Sequence, residues 1–420
     1  MRAAVVGGGP AGSRVAELLC RQGARVFLYE ARPGWEKPCG GGVPERGVDF
    51  CPFLADPSLP QVRARRARIF SPRNREALVA LSEPLRIYCR TRLNGHLLRR
   101  AQEQGAEVIP RRVTSLNRDG KSWMVTDADG RSQRADFLVG ADGASGIVRG
   151  RVAKQMPRLS QSLGLGYYVA GFTSDEIVLK FFDSLDGYLW IFPRPDHLAV
   201  GICGPTGAGK SETMLRDLKR FLVDLYGAGV LGRLSSYGAR IPSLPPSGAA
   251  ADRCVGEGWA LLGDAAGLVD PLTREGIHYA LASASFLAEA LGEGEPNGYP
   301  RRWEAAFGGE LEWASAHKEL FFSPRFIEAF THLASSSPVA AVVSDLVAGR
   351  QKYRNLRKRL AARAPAVGLS LGALLLHRLV AGRAKNSGPS LFALGDVPPA
   401  PGAAGTLSRG EATGPATQQA

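Results

Sequence analysis

The segment Gly7-x-Gly9-x-x-Gly12 constrains this chain more than any other, because of what surrounds it. The apolar run Ala3–Val6 reads as a strand, Ser13–Arg21 has helical spacing closed by Gly23, and Arg25–Tyr29 resumes as a strand ending at Glu30. Glycines in that place permit a tight turn and let a pyrophosphate approach the helix N-terminus. An acid about twenty residues on can accept hydrogen bonds from a ribose. Glycines alone would also suit an ordinary tight turn. With strand, turn, helix, strand and acid all in place, they point to dinucleotide binding.

Further along, residues 31–52 read as a Gly/Pro-rich loop long enough to be functional. A helix over Leu93–Gln104 ends at Gly105 and feeds a strand at Glu107–Ile109. Trp123–Thr126 and Asp136–Gly140 are strand candidates on either side of the turn Asp129-Gly130. From about 160 to 250 the pattern becomes strands separated by turns, with one helix around Glu212–Leu225, as expected of a separate sheet-rich domain. The strand Trp259–Leu262 precedes a long helix beginning near Gly276, and the spacing beyond 300 is helical to about 384. Residues 387–420 carry few large apolar groups and are expected to be disordered.

Two more glycine turns bear on which dinucleotide is bound. Gly140-Ala141-Asp142-Gly143-Ala144-Ser145, with Arg149, can place a carboxylate and backbone amides near nucleotide phosphates. Gly263-Asp264-Ala265-Ala266-Gly267, followed by Pro271-Leu272-Thr273-Arg274-Glu275-Gly276-Ile277, can aim Asp264 at a ribityl-phosphate and set Gly276 and Ile277 at a helix N-terminus. Each alone would pass for a capped turn; three at these separations are hard to explain as capping.

Together these motifs resemble the p-hydroxybenzoate hydroxylase-like FAD oxidoreductases, and two others resemble the geranylgeranyl reductase family within them. Lys37-Pro38-Cys39-Gly40-Gly41-Gly42 is similar to that family's Cys-Gly loop beside the flavin ring, and Tyr188-x-Trp190-x-Phe192-Pro193 to its substrate-pocket motif. The resemblance spans roughly residues 1–330. It implies FAD contacts from Ala11, Glu30, Cys39, Gly40, Gly42, Arg90, Val113, Asp264, Gly276 and Ile277. Gly7, Gly9, Gly12, Asp142 and Gly263 complete the expected cofactor set, and Tyr188, Trp190 and Phe192 the substrate set. Arg274 departs from the family's pattern, which more often carries glycine there.

The expected fold is therefore α/β: a Rossmann-type FAD-binding domain (1–60, 85–155 and 250–300), an inserted sheet-rich substrate domain (61–84 and 156–249) and a C-terminal helical region (301–386). The expected activity is FAD-dependent reduction of isoprenoid carbon–carbon double bonds, with NAD(P)H as electron donor. The alternatives are an FAD-dependent monooxygenase of a hydrophobic substrate and a lipid-surface binding protein that has lost catalysis. A flavin halogenase is disfavoured, because residues 61–90 hold no lysine.

Individual residues leave narrower choices. Tyr188, Trp190 and Phe192 share one face of a strand and Leu189 and Ile191 the other, so one face packs on the core and the other lines a pocket, or both are core. An ordinary thiol is mostly protonated at neutral pH, so Cys39 is either a proton donor or a turn residue whose backbone alone touches FAD. Gly204-Pro205-Thr206-Gly207-Ala208-Gly209-Lys210-Ser211 matches the phosphate-loop pattern, but its partner strand would be the one already assigned to the flavin turn. His278, next to the Gly276 turn, is either a pocket-facing residue or an ordinary helix histidine, the second being the more usual. No histidine or cysteine cluster has metal-ligand spacing, and the six scattered cysteines suit a reducing cytoplasm.

Charge narrows the partners. With 53 Lys+Arg against 39 Asp+Glu the chain carries +14. Six arginines fall in residues 61–75 and ten basic residues in 346–385, neither block containing an acid, which leaves about −2 elsewhere. Nucleic-acid binding loses its basis. The second block precedes the apolar run Ala366–Leu376, too short to span a bilayer. That arrangement suits peripheral contact with an anionic membrane on its inner face, or a solvated basic helix packed on the domain.

Overall fold

Short, wholly apolar strands can be buried on both faces only in a parallel sheet covered by helices. The computed structural model, which describes residues 1–153, 161–205, 207, 209–242, 254–335 and 337–362, uses them in this way. A six-stranded sheet runs Val255–Gly256, Trp259–Leu261, Phe137–Gly140, Arg2–Val6, Arg25–Tyr29, Glu107–Ile109, parallel throughout except for the first pair. The helix Pro10–Arg21 starts with proline at its first turn, where a missing N–H costs nothing. It packs against the long helix Ile277–Gly292 and the helix Arg90–Glu103.

The second layer is an eight-stranded sheet in the order Leu234–Pro242, Gln161–Ala170, His197–Pro205, Leu185–Pro193, Glu176–Phe182, Gln61–Phe70, Glu76–Tyr88, Gly42–Val43. The helix Lys210–Tyr226 covers one face of it through Met214, Leu218 and Leu222. Val113–Asp119, Ser122–Asp127 and Ser132–Ala135 form a small antiparallel sheet. Beyond Tyr299 the chain is helical in short pieces, with a π-helical turn at Glu304–Gly308, to Leu356–Ala362. Residues 363–386 and the 387–420 tail lie outside the described residues.

Three readings change. Residues 31–52 are not all loop: Gly42–Val43 pairs with Arg86–Ile87 as an edge strand, and Glu45–Phe50 is a helix. The strand Glu76–Tyr88 is continuous across the expected domain edge at 84–85. The arginine block is the strand Gln61–Phe70, with Ala64, Ala67 and Ile69 inward. An irregularity between Ala64 and Arg66 lets the consecutive residues Arg65 and Arg66 both face outward. Its charges have local partners: Arg66 pairs with Asp175, Arg68 with Glu176 and Glu76, and Arg75 lies 3.8 Å from Glu328.

One buried carboxylate ties the fingerprint helix to its neighbour. Glu17 is 1% exposed and meets Arg14 at 2.9 Å, Arg21 at 2.6 Å and Arg100 at 2.5 Å. Burial alone would raise its pKa, but the hydrogen bonds from Arg100 and Arg14 hold it below the ordinary 4.5. Its stabilising contribution is therefore complete above pH 4.5 and is lost as acid titrates the folded protein through the lowered value. Glu17→Ala, which strands three guanidinium groups, should lower unfolding free energy by about 3–5 kcal/mol, read from urea denaturation at pH 7.

Candidate functional site

The three glycine turns are far apart in the chain and adjacent in the fold, because each follows one of three neighbouring parallel strands. Val6 is level with Gly140 and with Tyr29, and Gly140 with Leu261. Hence Gly7, Asp142, Glu30 and Gly263-Asp264 emerge along one carboxyl edge of the sheet, where open α/β sheets bind ligands. Arg149 Nη1 donates to Ala265 O at 3.0 Å and links two of the turns.

The glycines there have separate jobs. A Cβ on Gly7 would overlap the Ala141 carbonyl, and one on Gly12 the Gly7 carbonyl, so both serve close packing of turn, helix and strand. Nothing of the protein lies within 4 Å of a Cβ on Gly9, which leaves that backbone open to a ligand. Glu30 receives the Gly8 and Arg32 amides, each at 2.8 Å. Burial raises Asp142 to about 6; one of its oxygens accepts from Val148 N at 3.0 Å, and the other is buried without a partner. Open glycine backbone, an anchored acid and an orphaned buried carboxylate oxygen fit a dinucleotide with ribose and phosphate groups.

The Cys39 turn shows why it needs three consecutive glycines. A Cβ on Gly40 would lie 2.7 Å from the Phe192 ring and one on Gly42 3.0 Å from it. Gly41, at φ +78°, has the Tyr88 carbonyl and the Arg194 guanidinium where a side chain would go. The cofactor loop and the aromatic strand, 150 residues apart, are thus in van der Waals contact. Cys39 Sγ accepts the Gly41 amide at 3.2 Å.

Beside this turn opens a cavity of about 540 Å³. Cys39, Gly40, Gly42, Arg90, Asp264, Gly276 and Ile277 line one side, with Tyr188, Trp190 and Phe192 on another. Leu189 and Ile191 face the opposite way, into the core beneath the helix Lys210–Tyr226, so the aromatic strand has one core face and one cavity face. Gly7, Gly9, Ala11, Gly12, Glu30, Asp142 and Gly263 belong to the sheet edge rather than to the cavity wall. Val113 is core, 5% exposed.

Residues not singled out from sequence complete the wall. Ile177, Leu179 and Phe181 come from the strand Glu176–Phe182, and Tyr237, Ala239 and Ile241 from Leu234–Pro242. Their period-two alternation was the available signal. Lys37 Nζ bonds Asp264 at 2.9 Å across the cofactor side. Leu346, Val347 and Gly349–Tyr353 close the cavity from the C-terminal region. His278 is more than a helix histidine: it lines the cavity, its Nδ1 lacks a partner, and burial with Arg46 nearby lowers it to about 3. Glu275 is raised by burial to about 7, although Arg46 at 3.8 Å and the His278 amide pull the other way.

Arg274 sits at φ 59°, the left-handed region that glycine enters freely. The turn around it is over-determined. Asp270 Oδ1 accepts the Leu272 and Thr273 amides, Arg274 N donates to Asp270 O, and the Tyr353 hydroxyl donates to Asp270 Oδ2 at 2.9 Å. That scaffold supports a strained residue. The phosphate-loop match does not form a nucleotide site. Its strand His197–Pro205 is antiparallel to both neighbours in the eight-stranded sheet, whereas Trp259–Leu261 is in the other sheet; Thr206 and Ala208 lie outside the described residues. All six cysteines are free, and among the described residues no group of three His, Cys, Asp or Glu side chains is placed to hold a metal.

The NAD(P)-binding Rossmann-like domain model matches residues 5–41. A chloroplastic geranylgeranyl diphosphate reductase from Oryza sativa subsp. japonica is 31% identical over 71% of this chain and 68% of that protein. The chain belongs to the geranylgeranyl reductase family. A second relative, the geranylgeranyl diphosphate reductase of Synechocystis sp., is 29% identical over 82% of this chain and 91% of its own length. The crystal structure of a geranylgeranyl bacteriochlorophyll reductase-like protein from Thermoplasma acidophilum has the same fold, with TM-score 0.71 and 22% identity over 86% of this chain and 98% of that one. Members of the geranylgeranyl reductase family are flavin-dependent oxidoreductases, and the sheet edge described above fits that cofactor.

The division of labour among the glycines is testable. Gly9→Ala should leave stability within about 0.5 kcal/mol of the parent while lowering the FAD retained on purification. Gly12→Ala should lower both. Absorbance at the flavin band and a thermal melt distinguish them.

Proposed function

We propose that this protein reduces carbon–carbon double bonds of a geranylgeranyl-type prenyl chain, with FAD as cofactor and NAD(P)H as electron donor. The observation that carries this reading is the single cavity that joins the Cys39 turn to the wall of Tyr188, Trp190 and Phe192. A pocket of this size with mostly apolar walls suits a lipid chain. Gly9, Glu30 and Asp142 would hold the adenosine and pyrophosphate end of FAD. Arg90, Asp264, Gly276, Ile277 and the Cys39–Gly42 backbone would hold the flavin end. Reduced FAD bound there supplies a hydride.

An isolated alkene is a poor hydride acceptor, so a proton must reach the second carbon as the hydride reaches the first. The chain's part is to keep water out and to deliver that proton. Cys39 donates it from its thiol. The Gly41 amide already points at Sγ, in place to hydrogen-bond the thiolate left behind. The aromatic wall holds the alkene over the turn, and the contact between Phe192 and Gly40 keeps wall and turn in register.

Substrate delivery is read as occurring at a membrane surface, through the basic segment within 346–385. Its described part abuts the cavity wall Leu346–Tyr353, and Lys352, Arg354 and Lys358 are exposed, whereas Arg350 and Arg359 are paired with Asp49, Glu83 and Asp345. No single helix among the described residues is long and apolar enough to cross a bilayer.

Anaerobic turnover of a geranylgeranyl substrate should add two hydrogens per double bond, read by mass spectrometry. A hydroxylated product that requires oxygen would establish the monooxygenase reading instead. Cys39→Ser should keep its flavin and lose about 100-fold in kcat, the usual scale of a general acid. Sedimentation with anionic vesicles should carry the protein down at low salt and release it at high salt. Failure to sediment at low salt removes the membrane from the scheme.

A further inference from the structure

Among the described residues, Arg194 has the largest side chain buried without measurable exposure. A buried guanidinium is costly unless its charge and its N–H groups are all answered. Here Nε is buried without a partner, and Nη1 and Nη2 are answered from the flavin side of the cavity. Nη2 donates to the Cys39 carbonyl at 2.8 Å, Nη1 donates to the Tyr88 carbonyl, and Glu36 Oε1 lies 3.3 Å from Nη1. Glu36 is itself held, with His197 Nε2 at 3.6 Å and the Tyr168 hydroxyl donating to its main-chain oxygen at 3.3 Å. The Tyr88 amide donates back to the Gly41 carbonyl at 3.0 Å, so the turn is stitched from both sides.

We propose that Arg194 is a positioning residue for the reaction: its planar fork grips the turn that carries Cys39 and sets the place of that thiol relative to the aromatic wall. The fork follows Phe192-Pro193 directly, so wall and grip are one stretch of chain. The Arg194 amide donates to the His197 carbonyl at 2.7 Å, which fixes the bend that turns the side chain back under the loop. Arginine is required because two carbonyls from different segments must be met at once; an ammonium group has no fixed fork with which to span them. The reaction is that of the proposed function, but the grip is independent of which substrate is reduced.

The experiment uses the FAD-loaded protein. Iodoacetamide labelling of Cys39 is timed by peptide mass spectrometry, with Cys20, on the distant fingerprint helix, as the internal reference. Arg194→Met should label roughly tenfold faster at Cys39 with Cys20 unchanged, because local opening of the turn is no longer opposed. Its kcat should fall about 100-fold with KM little changed, the penalty for misplacing a reacting group by about an ångström. Arg194→Lys should fall between Met and the parent. Gly41→Ala pushes a methyl between the Tyr88 carbonyl and the fork that grips it, at a left-handed φ, and should accelerate labelling in the same way if Arg194→Met does not fold. Parent-like labelling and kcat in a folded, yellow Arg194→Met protein overturn the proposal, as does parent-like labelling of Gly41→Ala. If labelling accelerates while even the parent reduces no prenyl substrate, the grip stands and the reading of the reaction fails.

Discussion

The constraint on which the rest of this site depends is steric: a turn with no side chains pressed against an aromatic ring and a guanidinium. A Cβ on Gly40 would overlap Phe192, one on Gly41 the Tyr88 carbonyl and Arg194, and one on Gly42 would press on Phe192 and Leu85. Packing at interior density leaves no slack to absorb a methyl group. The same contact joins the two layers, since Gly42–Val43 becomes the edge strand of the large sheet while the preceding residues face the nucleotide end. The cavity exists where it does because this seam brings the cofactor loop to the substrate wall.

A second constraint is directional. Parallel pairing places the carboxyl ends of neighbouring strands on one edge, so turns separated by more than a hundred residues become a single surface. Of the three glycines in the Gly7-x-Gly9-x-x-Gly12 fingerprint, Gly7 and Gly12 are consumed by the packing of the fold itself, and Gly9 faces open space. Affinity for a pyrophosphate and stability of the fold thus rest on different members of one short motif.

How much of this was legible before folding depended on range. The fingerprint was readable because strand, turn and helix are local. The aromatic strand was readable as two-faced, but not which face was which; that required the helix Lys210–Tyr226, whose Met214, Leu218 and Leu222 claim Leu189 and Ile191. Ile177, Phe181, Tyr237 and Ile241 carry only the period-two spacing of a strand, which does not say what they face; they meet the site through sheet order. The counter-ions of the arginine block are hidden for the same reason. Asp175, Glu176 and Glu328 lie more than a hundred residues downstream and cannot be seen by counting charge along a window. Arg194 carries no mark in the sequence, since nothing in its neighbours reveals the carbonyls it meets.

The bond from the Tyr353 hydroxyl to Asp270 has a consequence for the order of assembly. A chain emerges from the ribosome N-terminus first, and its early segments begin folding before the late ones exist. The sheet edge, the glycine turn and the aromatic wall all lie earlier in the chain than residues 346–353, so the segment that closes the cavity is the last of its walls to be made. It arrives with the tyrosine that bolts the Asp270–Glu275 turn in place.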